Sequence, residues 1–271
     1  MFILQNAANG VAFLTSDILK SRHAFATRLG GVSAHSHTAS LNLAFGRGDE
    51  RETVMENLRL FCEAVGISDR DAVSLPQVHG REIRTVTTAD AGLGYARPED
   101  GTADGYVTQT GVPVGIKTAD CVPVLMEARD ADDRVLAVCA VHAGWRGTVG
   151  GIAERGVEAL RALAGSDASI YVVMGPAICP VCYEVGEDFF EQVASVRTEA
   201  WAHRFIKDCN GRLTADLYGM NRDILHGAGI SDSHIDVSPY CTCCRPDLFF
   251  SHRYSKGKRG TMLSVIAKES E

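Results

Sequence analysis

The chain has 271 residues, 45% of them hydrophobic and 23% charged, with a net charge of −7 and a pI near 5.7. That size buries a full core without a disulfide scaffold, and the acidic balance argues against a general nucleic-acid or membrane-surface role while leaving room for a local basic pocket around a small anion. The start, M-F-I-L-Q-N-A-A-N-G, lacks the cationic and apolar regions of a signal peptide, and no window approaches about 18 uninterrupted apolar residues, so a cytoplasmic location is expected.

In chain order, residues 11–14 and 23–27 read as short strands. The second runs into T-R-L-G-G-V-S, whose paired glycines permit a turn that holds Arg28 at a loop mouth. The following polar stretch contains His35 and His37, a spacing that suits an exposed loop better than a metal site. Residues 50–65 carry Val54, Leu58, Phe61 and Val65 on a helical period, which predicts an amphipathic helix over a sheet, with Asn57 and Arg59 on its solvent face. Residues 72–80 end in Q-V-H-G, where Gly80 lets the backbone turn away after His79. Residues 81–87 alternate like a strand, residues 89–102 predict a mobile Gly-, Pro- and acid-rich loop, and residues 103–108 and 112–116 are again strand-like.

Residues 117–147 organise the rest. T-A-D-C-V-P-V-L, the apolar run 135–141 and H-A-G-W-R-G predict a hairpin with a polar turn at 128–134, so residues just before Val122 lie beside those just after Val141. Cys121 and His142 are then within reach of one ion, and His79 is a third donor at a strand or turn end. Two imidazoles and one thiolate make a three-ligand zinc set that keeps a position open for water or substrate. Asp104 and Asp120, each where a strand meets a turn, either orient a ligand histidine or substrate hydroxyl, or cap a turn. Beyond His142 the chain reads as a glycine-rich turn and a helix at 152–163, a junction that offers N–H groups and a positive dipole end to an anion, with Arg146 beside it. It is not a Walker loop, because the G-x-x-x-x-G-K-[ST] order is missing.

Residues 169–174 read as a strand, 187–196 and 216–228 as helices, 234–237 as a last inner strand and 262–266 as the final strand. The basic loop S-K-G-K-R-G before the final strand is either an anion contact or a solvated turn. Nine cysteines in a chain without an export signal read as buried thiols and ligands. Cys179 and Cys182 form a C-x-x-C, and Cys241, Cys243 and Cys244 form a second cluster. A four-cysteine zinc site is disfavoured, because Pro180 interrupts the first pair and the second cluster reads as C-x-C or C-C.

The ordered set Q-V-H-G, T-A-D-C-V-P-V-L, H-A-G-W-R-G-T, G-P-A-I-x-x-x-C-Y-E-V-G and C-T-x-x-x-P-x-L-F-F-S-H-R resembles the laccase-domain family. That family is also labelled polyphenol oxidase, peptidoglycan-editing factor and purine nucleoside phosphorylase. The resemblance covers nearly the whole chain and implies one α/β (α+β) domain over residues 1–271, with mixed β-sheets flanked by helices in a laccase-domain or cysteine-hydrolase-like fold. It puts the family's zinc ligands, which are also the candidate catalytic residues, on His79, Cys121 and His142, and substrate- or phosphate-binding positions on Arg28, Asn42 and Arg146. The implied activity is zinc-dependent phosphorolysis of adenosine, inosine, guanosine or methylthioadenosine, with adenosine deamination as a second reaction. The implied partners are a purine nucleoside and phosphate, with no nucleic acid, membrane or obligate protein partner. Cys179, Cys244 and Tyr254 depart from the family's motifs.

Three other readings use the same residues. Cys121 as a nucleophile with a histidine base suits a cysteine hydrolase acting on amides of cell-wall precursors. One Cys and two His also suit a mononuclear copper centre and phenol oxidation, although the His-rich motifs of a trinuclear oxygen site are missing. The last reading is a metal-stabilised binding protein without catalysis.

Overall fold

The computed structural model describes residues 1–269. Strands β1 (Phe2–Asn6), β2 (Ala12–Ser16) and β3 (Arg22–Ala26) lead to helix α1 (Arg51–Val65) and a short β4 (Ile83–Thr85). Next come β5 (Gly105–Thr108), β6 (Val114–Thr118), β7 (Val122–Arg129), β8 (Val135–Ala143), α2 (Trp145–Val149), α3 (Ile152–Ala164) and β9 (Ser169–Met174). The chain finishes with α4 (Glu187–Val196), α5 (Glu199–Phe205), β10 (Ile206–Asp208), β11 (Leu213–Ala215), α6 (Leu217–Gly227), β12 (Ile235–Val237) and β13 (Met262–Ala267).

These elements form the expected mixed α/β domain. A five-stranded antiparallel sheet has the order β1-β2-β3-β13-β6, and a six-stranded mixed sheet has the order β12-β9-β7-β8-β5-β4. Within the second sheet the outer pairs β12/β9 and β4/β5 are parallel and the inner ones antiparallel. The strand expected to be inner at 234–237 is thus an edge strand.

The central hairpin is apolar without alternation because both of its faces are covered. Leu125, Val138, Ala140 and Val173 point into one core with Tyr106 of β5 and with Phe25 and Ile116 of the five-stranded sheet. Val124, Met126, Cys139 and Val141 point into a second core with Val157 and Leu160 of α3 and Leu225 of α6. β7 extends through Ala128 and Arg129, which were expected to open the turn. Glu127 is fully buried and accepts from the backbone of Lys20 and Ser21 and from Arg129, so the charge is paired before it enters the sheet.

Helix α1 follows its apolar period. Val54, Leu58 and Phe61 are fully buried, each contributing roughly 1.5–3 kcal/mol of burial. It stops at Gly66, whose left-handed φ of 75° lets its N–H reach the carbonyls of Cys62 and Glu63. Asn57 corrects the sequence reading. Instead of facing solvent it is completely buried, accepting from Val32 N (2.8 Å) and donating to Ser33 Oγ (2.8 Å) and Asn42 O (2.9 Å). The segment expected to be a mobile loop at 89–102 is also pinned, by the buried Leu93 and Tyr95 and by a Tyr95 hydroxyl donated to Leu43 O at 2.7 Å. No helix among the described residues is long and apolar enough to cross a membrane.

Candidate functional site

The β7/β8 register pairs Val122 with Ala143 and Pro123 with His142, so Cys121, just before β7, comes to the level of Gly144 at the end of β8. The ligating atoms of His79, Cys121 and His142 lie within 4.8 Å of one another, and Cys121 Sγ is 3.9 Å from His79 Nε2. The two imidazoles meet edge to face with centroids 4.8 Å apart.

Asp104 is what holds this geometry. It is fully buried and accepts from His142 Nδ1 at 2.8 Å and from the backbone N–H groups of Val78 (3.1 Å), His79 (2.9 Å) and Gly80 (2.8 Å). Burial works against the charge, and His142 with the Gly80 and Val78 amides more than compensates, so Asp104 stays below the usual carboxylate range. With Nδ1 occupied, His142 turns Nε2 toward the sulfur, the arrangement of a metal-ligating histidine fixed by a carboxylate. His79 itself, and not Gly80, adopts the left-handed conformation (φ 59°), and Asp120 beside Cys121 has φ 104°. Such values in residues with side chains cluster at functional sites.

Two further observations bear on ligation. Burial pushes the Cys121 thiol up, but His142 and then His79 outweigh it and bring it down to about 6. The thiolate, the form that ligates or attacks carbon, is therefore its stable state near neutrality. A Cβ at Gly144 would sit 2.7 Å from His79 Cδ2 and 3.4 Å from Cys121 Sγ, filling the cradle between the three donors. The donor set, its thiolate character and the open cradle all fit a metal ion.

In front of the cluster lies a cavity of about 310 Å3, lined also by Phe45, Arg47, Gln77, Glu99, Lys117 and Arg259. Three of these are cations: Arg259 comes from the basic loop that the sequence offered as an anion contact or a solvated turn, while nothing in the spacing selected Arg47 or Lys117. Arg259 donates Nη1 to Gly260 O and Thr261 Oγ1 while its buried Nε has no partner among the described residues, and burial followed by Arg47 lowers it to about 10. Lys117 donates to Ser74 O at 3.0 Å, and burial lowers it to about 8.

Of the other sequence-selected residues, Arg146 stays beside the cluster while Arg28 and Asn42 do not face it. Arg146 lies on α2, which replaces the expected loop, stacks over Trp145 at 4.2 Å, and borders a second cavity with Asp120, Cys121, Ile178 and Tyr183. Arg28 does not reach the cluster's cavities. Its guanidinium donates to Ala39 O and Pro246 O over the Phe250 ring, so its donors are used in fastening two loops. Asn42 is fully buried, donating to Ala44 O and Asp49 and accepting from the N–H groups of Ala44 and Thr261; it sets the cavity floor without facing the cavity. His35 and His37 stack on each other, and His37 Nε2 is bonded to Arg47 O.

Compared with known proteins, residues 22–269 match the family described as multi-copper polyphenol oxidoreductase laccase. The chain belongs to this family. It is 38% identical over 260 residues to a protein of Deinococcus radiodurans named purine nucleoside phosphorylase, covering 96% of this chain and 94% of that one. It is 30% identical over 239 residues to adenosine deaminase RL5 from an unknown prokaryotic organism, covering 85% and 87%. Among solved structures, the Bacillus licheniformis hypothetical protein YfiH superposes with a TM-score of 0.86 at 30% identity, over 98% of this chain and 99% of that one. Relatives named as enzymes of nucleoside chemistry thus match this chain over most of its length.

Proposed function

We propose that the protein is a zinc-dependent purine nucleoside phosphorylase, with His79, Cys121 and His142 as the ligands. The observation that carries this reading is the convergence of three cations, Arg47, Lys117 and Arg259, on the same cavity as the thiolate and the two imidazoles. A dianionic phosphate needs charge-assisted donors in a partly dry site, and Arg259, with one buried N–H unpartnered, supplies one. Zinc suits a set of one thiolate and two imidazoles, and when bound it supplies Lewis-acid charge where electron density gathers during the reaction.

In phosphorolysis an oxygen of hydrogen phosphate bonds to the anomeric carbon of ribose as the bond to the purine nitrogen breaks. The electron pair leaves with the base, which takes the proton from the phosphate to give free purine and ribose 1-phosphate. Arg47, Lys117 and Arg259 hold the phosphate against the anomeric carbon and offset its charge. Glu99, on the same wall, offers a carboxylate to the ribose hydroxyls. Asp104 keeps His142 in one tautomer through Nδ1. Adenosine deamination, in which water replaces ammonia at the purine carbon, is the second activity, supported by the deaminase among the relatives.

Incubation of the metal-loaded protein with adenosine, with and without phosphate, tests this. Phosphate-dependent adenine and ribose 1-phosphate are expected, and inosine in either case reports deamination. No nucleoside turnover with either would reject the proposal. One geometric feature favours a cysteine hydrolase as the second reading, namely the Cys121–His142–Asp104 line with Asp104 at 2.8 Å from His142. Covalent labelling of Cys121 by an amide-type substrate analogue, in protein that turns over no nucleoside, would select it.

A further inference from the structure

We propose a second, structural metal site in which Cys179, Cys182, Cys241 and Cys244 bind a divalent ion of the zinc class as four thiolates. The four sulfurs lie within 4.8 Å of one another, with Cys182 Sγ 3.3 Å from Cys244 Sγ. A tetrahedral zinc with Zn–S bonds of ~2.3 Å spaces its sulfurs by ~3.8 Å, so the side chains need only small rotations to close on an ion.

The local backbone is that of two metal knuckles. In Cys179-Pro180-Val181-Cys182 the Cys182 N–H bonds Cys179 O at 3.1 Å, a tight turn in which proline at the second position is favoured, so Pro180 shapes the knuckle it was expected to interrupt. The second knuckle is Cys241-Thr242-Cys243-Cys244, a C-x-x-C concealed in the sequence by the extra Cys243. Its Cys244 N–H points at Cys241 Sγ (3.4 Å), and the Cys179 N–H approaches the same sulfur at 3.2 Å from the other loop. Two amides aimed at one sulfur stabilise a thiolate. The loops are tied together by Thr242 N donating to Ala177 O at 3.0 Å. No cysteine among the described residues is in a disulfide, and these four are partly to well exposed, which sets them apart from the buried, inert Cys62 and Cys139.

The cluster also braces the first site. Thr242, inside the second knuckle, donates Oγ1 to Asp120 Oδ1 at 2.6 Å, and Arg253 donates its N–H to Asp120 Oδ2 while its guanidinium holds Cys182 O and Glu184 O. Asp120 is the positive-φ residue that aims Cys121. The four-thiolate ion therefore acts as a positioning element.

The test is a metal count on the full chain, produced with zinc and purified under reducing conditions without chelator. Two ions per chain are expected. His142→Ala should retain one, while Cys182→Ser and Cys244→Ser should each lose the other and melt several degrees lower; Cys243→Ser should keep both. Cobalt-substituted His142→Ala should show the intense sulfur-to-metal charge transfer of a tetrahedral tetrathiolate. A wild-type count of one ion that disappears in His142→Ala overturns the proposal, as does a native Cys182–Cys244 disulfide revealed by thiol counting. The wild-type count and the thiol count need no variant to fold.

Discussion

At the His79–Cys121–His142 cluster three donors surround a cradle whose remaining side opens on a cavity of about 310 Å3. At the four-cysteine cluster the protein supplies all four donors of the proposed closed site. A zinc ion with three protein ligands keeps a place for substrate, whereas one with four is closed and holds chain segments together. The two clusters are only one hydrogen-bonded link apart, through Asp120 and Thr242, yet their surroundings differ in kind. One has a buried carboxylate behind its histidine and cations in front; the other has backbone amides and two turns.

The largest effect expected to break this contrast comes from the open site's own ligands. Cys121→Ala or His142→Ala should lose that ion and reduce kcat/KM on the order of a thousandfold, a loss of several kcal/mol of transition-state stabilisation, with the four-cysteine ion retained. Full metal content and activity in either variant would refute the ligand set. Asp104→Asn comes next. It keeps the size but loses the charge that orients His142, so metal affinity or turnover should fall by about 10- to 100-fold, measured by zinc titration and steady-state kinetics.

Arg259→Ala should raise KM for phosphate by about 10- to 100-fold, the worth of one charged hydrogen bond at roughly 1.5–3 kcal/mol. Arg28→Ala should leave KM for phosphate nearly unchanged and lower the melting temperature instead; a larger phosphate effect at Arg28 would return the clamp to that residue. The smallest effect concerns pH. Burial holds Lys117 at about 8, below its ordinary value, so its positive charge is present below that pH and lost as pH rises through it. KM for phosphate should accordingly climb severalfold between about pH 7 and 9, and Lys117→Met should flatten that rise while raising KM throughout.

Much of the site's scaffold was legible because it is local. The β7/β8 hairpin follows from two apolar runs and one turn, and its register alone brings Cys121 to His142. Helix α1 was legible from its period, within one residue of its observed start. Asn57 was misread because periodicity registers hydrophobicity, while its burial depends on polar groups of Val32, Ser33 and Asn42 that arrive from another segment. The second knuckle was misread because three cysteines in four positions allow several pairings, and only the facing 179–182 turn selects Cys241 and Cys244.

By itself, the sequence determined the elements, the hairpin that joins a thiol to an imidazole, and the order of motifs that mark the family, since each depends on spacing within a few tens of residues. Tertiary structure alone decided that Arg47, Lys117 and Arg259 share one cavity. Met262 pairs with Thr118 across the β13/β6 ladder, and Leu43 N–H bonds Thr261 O, so Arg47, Lys117 and Arg259 meet although most of the chain separates the first from the last. Such convergence is set by which strands pair and where loops are fastened, and no local pattern of charge or hydrophobicity records it.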